Sequence, residues 1–203
     1  MKTIGIFIFN DVEELDFVGP YEVFTMINGV LRYLKKPDAV KVLLISEDGK
    51  DITGNKGMRV GAHAAMTDIE GLDVICIPGG PGARVQIKNE AVMNWVKAMA
   101  PTCEWVTSVC TGSFILAKAG LTKGKKMSTY WGAFDEFEKL GLEGNLIPDV
   151  RYVRDGNLVT SAGVSAGIDM ALWLTGQIFD PTFARAVQRG MQYEPAPPYQ
   201  AEV

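Results

Sequence analysis

The sequence predicts an α/β fold in which helices cover both faces of a mostly parallel sheet. Short apolar runs bounded by turn residues alternate along the chain with longer segments of helical spacing. Three of the apolar runs end in small residues, as strands do above a ligand site. A length of 203 residues with 47% hydrophobic side chains favours one domain over residues 1–203. We therefore expect a doubly wound sandwich.

Strands are predicted where a short run is rich in Val and Ile. The candidates are residues 3–9, 40–47, 59–63, 73–78, 105–110 and 157–162, with residues 150–155 adding an antiparallel strand. Helices are predicted from apolar spacing at residues 20–27, 90–99, 112–119, 131–140, 166–179 and 181–192. Trp131, at the start of one of these helices, is expected in the core. The tail YEPAPPY is predicted to be extended because it contains three prolines.

Charge and cysteine usage exclude several classes of partner. A net charge of −4 with no block of Lys or Arg leaves no surface suited to nucleic acid or an anionic membrane. The apolar opening IGIFIF is interrupted by Asn10 and Asp11, so it is too short for an export signal or a membrane span. Three cysteines are an odd number, which indicates free thiols in a cytoplasmic protein.

Cys110 is the strongest candidate for a reactive residue. It ends the run WVTSVC and is followed by TGS, with Ser108 two residues before it and Gly112 two residues after it. Small residues at these positions are typical of a nucleophile elbow, a strained turn between a strand and a helix. A helix N-terminus favours the thiolate, so we expect a lowered pKa. Cys76, inside DVICIP, is expected to be buried and inert, and Cys103 to be incidental.

A carboxylate is the preferred partner for this thiol. His63, the only histidine, is expected to be structural. In the loop NDVEELDFVGP, Asp16 differs from its acidic neighbours because Leu15, Phe17 and Val18 should draw it into the structure. The residues alone leave two roles open for Asp16, a helix N-cap or a proton carrier beside Cys110.

The glycine-rich turns indicate a ligand site without a cofactor. GGPG follows a strand and lets backbone amides approach a ligand as part of an oxyanion hole. Gly163, in TSAGVSAG, is expected at the rim of the pocket. No dinucleotide or P-loop fingerprint occurs, and no HExxH, CxxC or carboxylate cluster has metal-ligand spacing, so we predict no cofactor and no metal.

Taken together, these motifs resemble the ThiJ/PfpI superfamily, and within it the bacterial isonitrile hydratases. The resemblance rests on five segments: LDFVGPYEVF, LDVICIPGGPG, VTSVCTGSFILAKAGLTKGKKMSTYW, VRDGNLVTSAGVSAGID and the tail QYEPAPP. It implies a flavodoxin-like three-layer sandwich, similar to class I glutamine amidotransferases, that forms a homodimer. It also implies a small-molecule substrate.

The resemblance assigns roles to individual residues. It implies Cys110 as the nucleophile and Asp16 as the carboxylate bonded to it. The amide of Thr111 would be one oxyanion donor, with Gly80 and its neighbour Gly79 in IPGG supplying the other. Protease-like members carry histidine where this chain has Thr111, which argues against peptidase activity. Tyr130 stands where related hydratases carry histidine, and it can donate a hydrogen bond but cannot act as an imidazole.

Three functions are compatible with this set of residues. The leading hypothesis is cysteine-dependent hydration of isonitriles to N-substituted formamides through a thioimidate. A glyoxalase or deglycase acting on reactive aldehydes would use the same thiol on another electrophile. A redox sensor would use Cys110 without catalysis. A transcriptional role is not expected, because the chain ends shortly after the α/β unit and is acidic.

Overall fold

The structure is a computed structural model that describes residues 1–195. The strands within those residues are β1 (Lys2–Phe7), β2 (Val40–Ser46), β3 (Ile52–Thr53), β4 (Arg59–Val60), β5 (Ala64–Ala65), β6 (Val74–Ile77), β7 (Trp105–Val109), β8 (Lys126–Met127), β9 (Asn145–Leu146), β10 (Tyr152–Asp155) and β11 (Leu158–Ser161). The helices are α1 (Glu14–Tyr33), α2 (Ala83–Gln86), α3 (Glu90–Met99), α4 (Gly112–Lys118), α5 (Phe134–Lys139), α6 (Ala166–Ile178) and α7 (Pro181–Gly190).

A seven-stranded sheet forms the centre of the fold. Its strand order is β10-β11-β7-β6-β1-β2-β5, and all neighbours are parallel except β10 and β11. Helices α1, α6 and α7 pack against one another, while α2, α3 and α4 form a separate packed group. The predicted α/β sandwich is therefore confirmed, including the antiparallel strand. The chain passes from β2 to β6 on the other side of β1, so the order reverses beside β1, where ligands bind in such sheets.

The first helix is longer than the sequence predicts. It begins at Glu14 and not near Pro20, which lies inside the helix at its seventh position. A proline there lacks the N–H that would bond to the carbonyl of Asp16, so the sequence pattern favours a helix starting at the proline. The earlier start places Asp16 on the helix itself. From this position on the helix, the carboxylate of Asp16 reaches the amide of Gly79.

The other differences concern short elements and one aromatic residue. Of the predicted strand 59–63 only Arg59–Val60 forms a strand, β4, which pairs with β3. The strand β5, which pairs with β2, begins one residue beyond the predicted range. The pair β8–β9 and the single-turn helix α2 have too few residues to give a periodic pattern. Trp131 is 77% exposed, so the expectation that it lies in the core is wrong. The tail is described only as far as Pro195, and residues 196–203 lie outside the described part.

Candidate active site

Cys110 lies at a strained turn between β7 and α4. Its φ is +56°, a left-handed conformation that residues other than glycine seldom adopt. Its N–H donates to the carbonyls of Ser161 and Ala162 at 3.2 and 3.1 Å. Its carbonyl accepts from Ser113 Oγ at 2.9 Å and Thr129 Oγ1 at 3.0 Å. These bonds hold the backbone in the strained conformation, as a nucleophile elbow requires.

Gly112 allows the elbow to approach the neighbouring strand. A Cβ atom added there would lie 1.9 Å from the carbonyl oxygen of Ile77, at the end of β6. Ser108, two residues before the cysteine, is paired in register with Ile77 and fully buried. The small residues that flank Cys110 in the sequence therefore have a steric cause, because β6 and the start of α4 leave no space for side chains.

Asp16 is a fully buried carboxylate beside this cysteine. Its Oδ2 accepts from the amide of Gly79 at 2.9 Å, and its Oδ1 makes no hydrogen bond of normal geometry within residues 1–195. It does not cap α1, whose cap residue is Glu13. Burial raises the pKa of Asp16 to about 7, and the charge of Glu13 adds to the shift, while the amides of Gly79 and Val164 and the thiol of Cys110 oppose it.

The thiol of Cys110 is neutral in this environment. Burial raises its pKa to about 12, and the nearby charge of Asp16 raises it further, although the amide and hydroxyl of Thr111 act in the opposite direction. The expectation of a thiolate stabilised by the helix N-terminus is therefore wrong for the resting site. Helix α4 has only seven residues, and desolvation and the adjacent carboxylate both raise the pKa of the thiol.

The glycines of the GGPG turn lie between Asp16 and Thr111. The amide of Gly79 is bonded to Asp16, and the amide of Gly80 donates to Thr111 Oγ1 at 3.1 Å. A Cβ atom on Gly79 would lie 2.5 Å from the nitrogen of Thr111, and Gly80 has φ +110°. In the resting site the N–H of Gly80 is thus engaged by a side chain. Of the expected oxyanion donors, the amide of Thr111 is the one that interacts with the sulfur.

A cavity of about 600 Å³ opens above the cysteine. It is lined by Glu13, Lys56, Gly80, Pro81, Arg84, Cys110, Thr111, Tyr130 and Val164. Gly163 lies behind this wall, because a Cβ atom there would be 2.5 Å from Cδ2 of the Tyr130 ring. Glu13 and Lys56 form an ion pair at the cavity. The structure thus brings Cys110, Asp16, Thr111, Gly79, Gly80, Tyr130 and Gly163 to one place.

Two residues of this site have no clear signal in the sequence. Arg84, on α2, donates to the carbonyl of Gly80 and to Thr111 Oγ1, both at 3.0 Å. Val164 lines the cavity with φ +53°, a conformation that is strained for a β-branched residue. A glycine would be expected at such a backbone position, so the sequence could not indicate Val164. The only hint for Arg84 is its place four residues after Gly80.

The remaining thiols and the histidine lie outside this site. Cys76 has no exposed surface, and burial raises its pKa to about 12, as expected of an inert residue. Cys103 is also buried, and its sulfur donates to the carbonyl of Met99. His63 is structural, because its Nδ1 accepts from the amide of Leu44 at 2.9 Å. The thiol and the carboxylate are therefore the titratable pair at the elbow.

The described residues form neither a metal-ligand cluster nor a membrane-spanning helix. Within residues 1–195, no three His, Cys, Asp or Glu side chains are grouped as metal ligands would be. The helices of this part of the chain also include none that is long and apolar enough to cross a membrane.

Known proteins are similar to this chain in sequence and in fold. Residues 2–177 match the DJ-1/PfpI family. An isonitrile hydratase of Pseudomonas putida is 38% identical over 197 residues, which is 97% of this chain and 80% of that protein. A deglycase of Pyrococcus horikoshii is 27% identical over 154 residues, which is 75% of this chain and 84% of that protein. The crystal structure of a ThiJ/PfpI family protein from Pseudomonas syringae has a TM-score of 0.85 and 27% identity, covering 100% of this chain and 79% of that chain.

Proposed function

This chain belongs to the DJ-1/PfpI family, and on that premise we propose that it hydrates isonitriles to N-substituted formamides through a covalent bond to Cys110. The similarity to the isonitrile hydratase of Pseudomonas putida supports the reaction. The observation that carries the proposal is the buried pair of Asp16 and Cys110, a carboxyl group with a pKa of about 7 beside a protonated thiol that lines a cavity. The reaction needs this proton, because the terminal carbon of an isonitrile must gain both a nucleophile and a hydrogen.

The first half of the reaction adds the thiol to the isonitrile. Asp16, ionised in part near neutral pH, takes the proton of Cys110 as the sulfur attacks the terminal carbon of R–N≡C. Asp16 then gives that proton to the same carbon. The product is a thioimidate, R–N=CH–S–Cys110, and Asp16 is again a carboxylate. A pKa of about 7 suits this relay, because the group can both accept and release a proton near neutrality.

The second half releases the product. Asp16 takes a proton from water as the hydroxyl group adds to the thioimidate carbon, and it delivers this proton to the nitrogen. The tetrahedral adduct R–NH–CH(OH)–S–Cys110 then loses its hydroxyl proton through Asp16 as the C–S bond breaks, and that proton returns to sulfur. The sum is R–NC plus water giving R–NH–CHO. The amide of Thr111 is positioned to stabilise the sulfur anion as it leaves.

The wall of the cavity would hold the R group. Tyr130 and Val164 are the bulkier uncharged side chains there, whereas Lys56 and Arg84 are each paired with a glutamate. An uncharged R group fits such a surface best, because a charged one would have to displace an existing ion pair. Gly163 would contribute by leaving room for the Tyr130 ring.

The test is formation of N-substituted formamide from a panel of uncharged alkyl and aryl isonitriles. We expect turnover by the wild type and none by Cys110→Ala, since no other group can form the thioimidate. Asp16→Asn should fold but lose most of its activity. Full activity of Asp16→Asn would contradict the proton relay, and absence of turnover on every isonitrile would contradict the reaction.

A second candidate function is favoured by the match to the deglycase of Pyrococcus horikoshii. In this alternative the sulfur of Cys110 attacks a reactive aldehyde or an early glycation adduct. Production of lactate from methylglyoxal, measured beside the isonitrile panel, discriminates the two. Turnover of the aldehyde alone would favour this second function.

We also propose that the chain acts as one domain, forms a homodimer and works in the cytoplasm. All three cysteines are free in the structure, which suits a reducing compartment. The dimer rests on the resemblance to the superfamily. Light scattering of the purified protein gives the mass in solution, and a monomer at micromolar concentration would contradict the dimer.

A further inference from the structure

The hydroxyl of Thr111 uses all of its hydrogen-bonding capacity within the protein. A threonine hydroxyl has one proton to donate and two lone pairs to accept with. Thr111 Oγ1 accepts from the amide of Gly80 at 3.1 Å and from Nη1 of Arg84 at 3.0 Å, and it donates to the carbonyl of Gly80 at 3.2 Å. Because both lone pairs are occupied, this hydroxyl can meet any new partner only as a donor.

The carbonyl of Gly80 has other donors. Nη1 of Arg84 bonds to this oxygen at 3.0 Å, in addition to its bond with Thr111. If the hydroxyl of Thr111 turns away, the carbonyl keeps two hydrogen bonds, from Arg84 and from the amide of Ala83 at 3.2 Å, and is not left unsatisfied. The usual penalty for burying an unpaired carbonyl therefore does not oppose the rotation. Nη1 of Arg84 thus occupies a lone pair of the Thr111 hydroxyl, and it also stays bonded to the carbonyl of Gly80 when that hydroxyl turns away.

The guanidinium of Arg84 is itself held firmly. Its Nε and Nη2 atoms bond to the two carboxylate oxygens of Glu136, at 2.9 and 2.5 Å. Its central carbon lies 5.2 Å from the centre of the Phe114 ring, which is fully buried. A bidentate ion pair and a cation–π contact leave Nη1 one orientation, toward Gly80 and Thr111.

We propose that Arg84 is a positioning residue, which directs the hydroxyl of Thr111 to the sulfur of Cys110 when the thiol loses its proton. In the resting site the hydroxyl bonds to the carbonyl of Gly80, and when sulfur becomes an anion it rotates to donate there. Thr111 directly follows Cys110 in the chain and both residues line the same cavity, and hydrogen bonding from Thr111 lowers the pKa of the thiol. The catalytic role of the thiolate rests on the proposed function, but the hydrogen-bond arrangement does not.

The test measures the sulfur directly, without an isonitrile. The rate of alkylation of Cys110 by iodoacetamide is measured at about pH 8, where the thiolate is a small fraction of the thiol, with Cys110→Ala giving the background from the other thiols. We expect Arg84→Met and Thr111→Val each to slow alkylation about tenfold, the change expected when one hydrogen bond to a charged group is lost. The double variant should be no slower than either single variant. If Arg84→Met does not fold, Arg84→Lys, which loses the planar fork, should slow alkylation as well.

The control is Arg32→Met, which breaks another two-point bond between an arginine and a carboxylate, that of Arg32 with Asp38. It should leave the alkylation rate unchanged. An unchanged rate in Arg84→Met, or effects of Arg84→Met and Thr111→Val that multiply in the double variant, would overturn the proposal. Absence of formamide formation by the wild type would refute the proposed reaction. The alkylation test of Arg84 would still be valid, because it uses no isonitrile.

Discussion

Replacing Asp16 with asparagine should change how the stability of the protein depends on pH. Asp16 is fully buried with one hydrogen bond, from Gly79, and burial raises its pKa from 3.8 to about 7. A carboxyl group with a raised pKa in the folded state stabilises the fold while it is protonated. This stabilisation is complete below the unfolded value and is lost as pH rises through the folded value.

The magnitude follows from the size of the shift. Each pH unit between the two pKa values corresponds to about 1.4 kcal/mol, so the change from 3.8 to about 7 is worth about 4 kcal/mol. About 3 kcal/mol of this falls between pH 5 and pH 8. The thiol of Cys110 has a raised pKa as well, but its contribution is lost only above its ordinary value of 9.0. Measurements up to pH 8 therefore isolate the carboxyl group.

The assay is urea unfolding at pH 5 and pH 8, followed by the fluorescence of the four tryptophans. The free energy of unfolding of the wild type should fall from pH 5 to pH 8 by about 3 kcal/mol more than that of Asp16→Asn. Asp38→Asn is a matched control, because Asp38 is exposed and the hydrogen bond from Arg32 lowers its pKa. This control should follow the wild type between pH 5 and pH 8. Equal pH dependence of Asp16→Asn and the wild type would show that Asp16 ionises at its ordinary pKa.

Two further predictions concern the packing of the elbow at Cys110 and the pH dependence of kcat/KM. In Gly112→Ala the added Cβ would meet the carbonyl oxygen of Ile77 at 1.9 Å, so the free energy of unfolding should drop by about 3 kcal/mol or more. The control Gly29→Ala, on the exposed face of α1, should raise the free energy of unfolding slightly. Equal effects of the two variants in thermal melts would contradict the steric role of Gly112. If Asp16 carries the proton from the thiol, kcat/KM for an isonitrile should rise with pH through about 7, and a pH-independent profile would remove Asp16 from that step.

The sequence by itself determined the order and type of the main elements. Six of the seven strands of the central sheet and the helix Glu90–Met99 follow from the spacing of apolar residues, because that spacing records which side of each element is buried; the two-residue strand β5 does not. The place of Cys110 was also predictable. A strand, a cysteine and a short helix are consecutive in the chain, and the small residues Ser108 and Gly112 that flank the cysteine are visible in the local sequence.

Only the tertiary structure decided which residues surround Cys110. The sequence left Asp16 as a helix cap or as a neighbour of Cys110, and the fold bonded its carboxylate to the amide of Gly79, 63 positions along the chain. The same holds for Arg84, whose bonds to Thr111 and Glu136 join separate elements. The protonation of Cys110 was predicted wrongly from its helix, because the pKa depends on desolvation and on the charge of Asp16. Burial and charge at a buried site are set by contacts between distant parts of the chain, and local sequence patterns do not contain them.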